Sequence, residues 1–483
     1  MTFEITNKDA MGRIGKLKTP HGRVETPTLM PVINPNIDFI PAEKMKRFGA
    51  QILITNSYII YRSGDLRDMA VEKGLHRLLE TDLPVMTDSG SYQLMIYGDV
   101  EVKNAEVVKF QQMIGSDIIV PLDIPTPPDA DYSRAIADLE ITIEREREAS
   151  RLIKESNSEN LLAIPIQGST YSELRKRSAE ESKKIDGDVY PIGGVVPLLD
   201  DYRFSDVVRI ILDVKSVIPS SYPIHLFGAG HPIFLSIAVA LGCDLFDSAA
   251  YALYAKDDRY LTPYGTKKLN ELHCLPCSCP VCSQYSAEEL LKIEKEEREI
   301  LVGEHNLWIS FEEIRKIKQA IKENSLFEFV EKRIRSHPSL LSSWRQIKNY
   351  STLLEEYDPS TKRQFFYTGI ESIYRPAVSR HHERVKNVEL EKDEYTISTS
   401  SENNSDFYLK PVFGVVPAEM NEVYPAGHAE MPPVEYIENE AVDVAVNALR
   451  SFLRKHHDKK FIIRADGVWR EYLIELPDNA VVE

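Results

Sequence analysis

Cysteine is scarce in this chain, with five in 483 residues. That argues against a disulfide framework. Four of the five fall between Cys274 and Cys282, which points instead to a metal site in a reducing compartment, and the cytoplasm is the expected location. No apolar run approaches the roughly 18 residues that a membrane helix needs. The stretch Met1 to Ala10 carries acids and lacks the apolar segment of a signal peptide. No short repeat of fixed period is present. Positive charge is outweighed as well: 58 Lys and Arg against 75 Asp and Glu leave a net −17. Taken over the whole surface, that balance argues against a nucleic-acid partner, so only a local concentration of cations could serve one. What the chain does have is an apolar fraction of 43%, enough for real cores, and a length that predicts two or three domains.

Eight short apolar or β-branched runs begin near Pro27, Gln51, Pro84, Asp117, Leu161, Asp188, Tyr222 and Cys243. Charged stretches with helical periodicity separate most of them, and Ala135 to Glu155 is the clearest. Eight strands alternating with helices over about 250 residues predict an α/β fold of the (β/α)8 TIM-barrel type. The competing fold is a doubly wound open sheet. Against it, no Gly-rich phosphate turn follows the first strand.

A barrel of this kind places its chemistry at the C-terminal ends of its strands. Those ends carry Asn56-Ser57, Asp88, Asp123, Gln167, Gly193-Gly194, Gly228 and Asp247. A single polar strand end can simply meet water or cap the next helix. Three aspartates and a glutamine at one rim fit that bland reading less well. Asp88 follows an apolar strand within the sharp polar turn Thr87 to Gln93, and Asp247 closes the eighth run. Two carboxylates flanking a glycosidic carbon can divide the work, one as nucleophile and the other as acid and then base. The same pair could instead hold a divalent metal. Asp123 can accept paired N–H groups, while Gln167 offers both a donor and an acceptor. Gly193-Gly194 leaves backbone groups open to a flat ligand. Tyr92 can stack on a base or pack the rim.

Cys277, Cys279 and Cys282 are spaced C-x-C-x2-C, which brings three thiolates within reach of one tetrahedral ion. His305 can supply the fourth ligand; His273 is nearer in sequence, and Cys274 can replace any one thiolate. Thiolate with imidazole suits Zn2+, and four protein ligands make a structural site. Beyond it lie a helical region from Ala287 to Asn349, a segment dense in Lys, Arg and aromatics to about Asn387, and a polar stretch, Thr396 to Asp406, that reads as a linker or exposed loop. The tail from Phe407 to Glu483 reads as a small α+β module, with a helix over Val442 to His457 and a strand-like pair around Phe461 and Tyr472. The expected division is therefore 1–350 for the barrel with its inserted zinc-binding subdomain at about 274–310, 351–395 for a basic aromatic extension, and 396–483 for the C-terminal domain.

Taken together, TDSGSYQ (Thr87 to Gln93), IPIQGS (Ile164 to Ser169), PIGGVVPLL (Pro191 to Leu199), LFGAGHP (Leu226 to Pro232), FDSAAYALYA (Phe246 to Ala255), CSCPVC and EHNL (Glu304 to Leu307) resemble the tRNA-guanine transglycosylase family, from the N-terminus to about Lys386. The resemblance implies a pentosyl transfer in which Asp247 is the nucleophile on the ribose and Asp88 the general acid/base. It implies that Asp123, Gln167, Gly194 and Val195 read the heterocycle while Tyr92 and Phe227 sandwich it. It also implies that Cys277, Cys279, Cys282 and His305 hold zinc. Gly193 to Pro197 and the C-terminal extension resemble the archaeal branch, whose members exchange guanine 15 in the D-arm of tRNA for 7-cyano-7-deazaguanine, towards archaeosine. Many archaeal members end in an RNA-binding PUA domain, which is not evident here, so a separate PUA protein or the tail itself is expected to serve. Homodimers are common in the family. From Lys332 to Lys386 the chain carries eleven Lys and Arg against five Asp and Glu, interleaved with Trp344, Tyr350, Phe365, Phe366 and Tyr367. That stripe is the expected tRNA contact.

Overall fold

The computed structural model describes residues 2–37, 39–91, 102–400 and 404–483. These divide into two units, one of Met1–Ile321 with Arg333–Trp344 and one of Lys322–Lys332 with Arg345–Glu483. Among the described residues no helix is long and apolar enough to cross a membrane.

The first unit opens with a three-stranded antiparallel sheet, β1 (Phe3–Asp9), β2 (Gly12–Thr19) and β3 (Gly22–Thr26). This sheet was not anticipated. Eight parallel strands follow: β4 (Thr28–Ile33), β5 (Leu53–Asn56), β6 (Val85–Asp88), β7 (Ile118–Ile119), β8 (Leu161–Leu162), β9 (Tyr190–Ile192), β10 (Ile224–Leu226) and β11 (Leu245–Ser248). They pair in the order β8-β7-β6-β5-β4-β11-β10-β9. The parallel bridges Ala163↔Val189 and Ile166↔Ile192 join the two ends of that order. All eight expected strands are present, and the TIM-barrel reading holds in place of the open sheet.

The lumen is filled by Met30, Ile52, Ile54, Met86, Ile118, Val120, Ala163, Val189 and Leu245, and at its lower end by Phe3, Leu17 and Val24 from the N-terminal sheet. That sheet therefore plugs the bottom and leaves the C-terminal strand ends as the open side. Two buried anchors hold the plug. Arg13 grips Asp244 through two nitrogens at 2.7–2.8 Å. Asp117 takes His21 and His76, each at 3.0 Å. These last three could also group around a metal. However, each imidazole nitrogen already sits on an Asp117 oxygen, and the two rings stack at 3.7 Å, whereas imidazoles sharing one ion diverge from it. The cluster is a hydrogen-bonded brace.

The second unit has its own core. A five-stranded mixed sheet comprises β12 (Glu394–Ser398), β13 (Phe407–Lys410), β14 (Gly414–Pro417), β15 (Lys460–Arg464) and β16 (Ala480–Val482), in the order β14-β13-β12-β15-β16. The helix Asn439–Lys455 buries Ala441, Val442, Ala445, Val446, Leu449, Phe452 and Leu453 against it. Two expectations fail here. Thr396 to Ser398 is part of the central strand β12 rather than a linker, because Thr396 is tied to Asp406 and Ser398 is fully buried. Tyr472 lies in a short helix, Trp469–Tyr472, and the second strand of the expected pair is β16.

Candidate active site at the barrel mouth

Asp88 is the last residue of β6, and Gly90 turns the chain immediately after it. Gly90 has φ +85°, and a Cβ there would lie 2.4 Å from that of Tyr58, so only glycine fits. The Asp88 carboxylate accepts from Asn56 Nδ2 at 3.2 Å. The same Asn56 caps the helix Ser57–Arg62 through its oxygen, so one side chain fixes both the helix and the acid. Burial, reinforced by the charges of Asp123 and Asp247, raises the Asp88 carboxyl to about 7. A carboxyl poised there can both give and take a proton at neutral pH.

Asp247 lies in β11 with Oδ1 2.8 Å from His225 Nε2 and 2.7 Å from the backbone N–H of Gly228. Asp123 lies four residues beyond β7, in a segment without a strand ladder. Side chains hold that segment instead. Gln111 pairs with both backbone groups of Val120, Asn104 accepts from Leu122 N–H, Ser91 accepts from Asp123 N–H and Thr142 accepts from Ile124 N–H. Burial raises the Asp123 carboxyl, against the opposing hydrogen bonds of Gln167 and Ser91. Gln167 donates Nε2 to Asp123 Oδ2 at 2.6 Å. Its buried Oε1 has no partner among the described residues. Arg175, wholly buried and lowered to about 9 by that burial, pins the loop carrying Gln167 through the carbonyls of Ile166 and Ser169 at 2.7 Å.

Gly193 and Gly194 follow β9. A Cβ on Gly193 would come within 2.1 Å of Gln167 Nε2, so the bare backbone is what lets the amide reach Asp123. Val195, the next residue, is fully buried. Phe227 is partly exposed there, edge-on to the His225 ring at 4.5 Å. Tyr92 lies outside the described residues. Sequence reasoning found the three aspartates, Gln167 and Asn56 and missed His225, Asn104, Gln111 and Arg175. These are single polar residues within apolar or helical runs, with no periodicity of their own to mark them.

Away from the mouth, Cys277, Cys279, Cys282 and His305 bring their ligand atoms within 4.8 Å of one another and could hold a metal ion. His305 Nδ1 faces Cys279 and Cys282 Sγ at 3.5 and 3.4 Å. Its Nε2 donates to Leu261 O at 2.9 Å, leaving the Nδ1 lone pair for a cation. Three thiolates packed this closely repel one another, so they need a positive centre between them. Tyr260 stacks on His305 at 3.6 Å. Next to the ligand, Asn306 binds Leu261 N–H and Arg259 O, anchoring the long helix Lys295–Glu323 to the hairpin strand Arg259–Thr262. Neither His273 nor Cys274 joins the cluster.

Part of the expected basic stripe is held in ion pairs, while Lys332, Arg335, Lys348, Arg363 and Arg384 are exposed. Arg333 pairs with Glu313, Arg345 with Glu371, Lys362 with Asp358, Arg380 with Glu355, and Arg375 with Glu328 and Glu331. Trp344 and Phe365 are core residues, unavailable for stacking on bases.

The chain is 64% identical over 477 residues to the tRNA-guanine(15) transglycosylase of Archaeoglobus fulgidus, covering 99% of this chain and 98% of that one. It is 51% identical to the protein of the same name from Methanosarcina barkeri, covering 98% and 96%. The Methanocaldococcus jannaschii protein of that name is 48% identical over 474 residues, which span 94% of this chain and 72% of that longer one. Residues 8–339 match the queuine tRNA-ribosyltransferase family. With its barrel, its carboxylate mouth and its Cys3His cluster, the chain belongs to the queuine tRNA-ribosyltransferase family.

Proposed function

We propose that this protein is a tRNA-guanine(15) transglycosylase that exchanges guanine 15 in the D-arm of tRNA for 7-cyano-7-deazaguanine. The observation that carries the reading is the convergence of Asp88, Asp123 and Asp247 at one barrel mouth, with the acid among them raised to about 7. The full-length likeness to relatives bearing that name supports it. Asp247 attacks the ribose anomeric carbon and forms a covalent enzyme–RNA intermediate. Asp88 protonates the departing guanine at N9 and then takes the N9 proton of the incoming base. Asp123 accepts the N–H groups of the heterocycle, and Gln167, Gly194 and the Val195 backbone meet its remaining edge. The unpartnered Gln167 oxygen supports a ligand edge rich in N–H. Phe227 and Tyr92 stack on its faces. A guanine inside a folded tRNA must be extruded before attack.

Zn2+ suits the three thiolates and the imidazole as a closed structural site, formed by Cys277, Cys279, Cys282 and His305. The protein acts in the cytoplasm as a homodimer.

The test is incorporation of labelled guanine into unmodified archaeal tRNA, with 7-cyano-7-deazaguanine as competitor, followed by mapping of the label. Label at position 15, chased by the competitor, is expected. Label at the anticodon wobble position would transfer the protein to queuine-type exchange, and no label would leave a tRNA-binding partner subunit. Asp247→Ala is expected to abolish incorporation with the fold intact. Residual activity within about tenfold of wild type, a loss of under about 1.4 kcal/mol of transition-state stabilisation, would remove the nucleophile assignment.

A further inference from the structure

We propose that His225 is a positioning residue that governs the second half of the exchange, by holding Asp247 and stabilising its carboxylate as a leaving group. The inference rests on the assignment of Asp247 as nucleophile and goes beyond it.

Three observations carry it. First, the two donors on Asp247, His225 Nε2 at 2.8 Å and Gly228 N–H at 2.7 Å, both fall on Oδ1. Oδ2 is therefore the oxygen left to attack. Second, a carboxylate only accepts, so the histidine proton sits on Nε2. The buried Nδ1 then has no partner among the described residues, and Asp247 alone orients the ring's polar edge. Third, His225 is wholly buried in the middle of β10 (Ile224–Leu226). Its strand pairs in parallel with β11, in the register His225↔Leu245. Two residues along, that register sets Phe227 beside Asp247, and the next backbone N–H, that of Gly228, reaches the Asp247 carboxylate. A polar ring in an otherwise apolar layer costs desolvation unless a bond repays it, and the bond it makes is to Asp247.

The chemistry assigns these donors a direction. In the first displacement the Oδ2 electron pair forms the bond to the anomeric carbon, the glycosidic pair leaves with the guanine, and Asp88 protonates that guanine. The carboxylate becomes a neutral ester, so donors at Oδ1 lose strength. In the second displacement the incoming base gives its N9 proton to Asp88, and its electron pair forms the new glycosidic bond. The C–Oδ2 bond breaks with its pair returning to Asp247. Negative charge reappears across both oxygens, and prearranged donors at Oδ1 stabilise it as it forms. Losing one such donor slows breakdown of the ester on the order of ten- to a hundredfold and spares or speeds its formation.

The experiment follows the covalent tRNA–enzyme adduct of the full-length protein by rapid quenching into denaturant, before and after addition of 7-cyano-7-deazaguanine. His225→Phe removes the donor and is expected to raise the steady-state fraction of adduct while kcat falls. His225→Gln, which keeps an N–H donor, is expected to restore breakdown towards wild type. His225→Leu repeats the loss in a smaller side chain should the phenylalanine fail to fold. A purely structural role would lower the number of active sites and leave the ratio of formation to breakdown unchanged in all three, and that result would overturn the proposal. Failure of the underlying assignment looks different: the wild-type protein itself would form no adduct at Asp247.

Discussion

At the residue scale, the site is a set of acids kept apart in character by what surrounds each. Asp88 is held at about 7 by burial and by two neighbouring carboxylates. Because its value is raised, the proton is present below pH 7 and lost above it. The kcat/KM for tRNA, which reports the free enzyme, is expected to decline above about pH 7 with the slope of one proton. Asp88→Asn should remove that inflection along with most of the activity, and a wild-type profile flat from pH 6 to 9 would count against Asp88 as the acid. The acids and Gln167 were legible because each ends an apolar run, where a polar side chain has nowhere to point but the mouth. His225, Asn104 and Arg175 were not legible. Each is explained only by a partner distant in sequence or by a backbone that lacks a strand ladder, such as the segment around Asp123.

At the scale of elements, alternation and run length revealed the eight barrel strands, since parallel strands buried on both faces read as continuous apolar segments. The N-terminal sheet escaped because β1 and β2 are rich in charged and polar residues, so no apolar run marks them even though much of β2 is buried. Only Phe3, Leu17 and Val24 of β1–β3 enter the lumen. The cysteine spacing was legible as a ligand set, while His305, buried on a helix over twenty residues away, needed the family likeness to be chosen over His273. The element that set builds has a small core of its own, from Ala255 to Val302. Cys279 is fully buried at its centre. Cys279→Ser is therefore expected to lower both bound zinc and the melting temperature. Full zinc content with an unchanged melting temperature would argue against a structural site.

At the scale of the whole molecule, the chain passes between the two units near residues 321, 332 and 344. The short segment Lys322–Lys332 belongs to the second unit because Glu328 and Glu331 close on Arg375, which also bonds Phe366 O at 2.9 Å. Charge counted along a sequence does not reveal which cations face carboxylates: Lys362 and Arg375 of the basic stretch are buried in ion pairs, while Lys348 and Arg363 are exposed. Arg375→Met strands two buried glutamates and is expected to cost the second unit about 3–5 kcal/mol. Thermal unfolding followed by probes in that unit should show the loss, while single-turnover chemistry at low temperature stays close to wild type. An unaltered melting profile would mean that the triad contributes nothing net.

The crowding of carboxylates at the mouth also bears on encounter. Once Asp88 sheds its proton, the mouth that also holds Asp123 and Asp247 gains a further negative charge at the spot a polyanionic substrate must enter. Alkaline conditions then both disarm the acid and build an electrostatic barrier to arrival, and added salt relieves only the barrier.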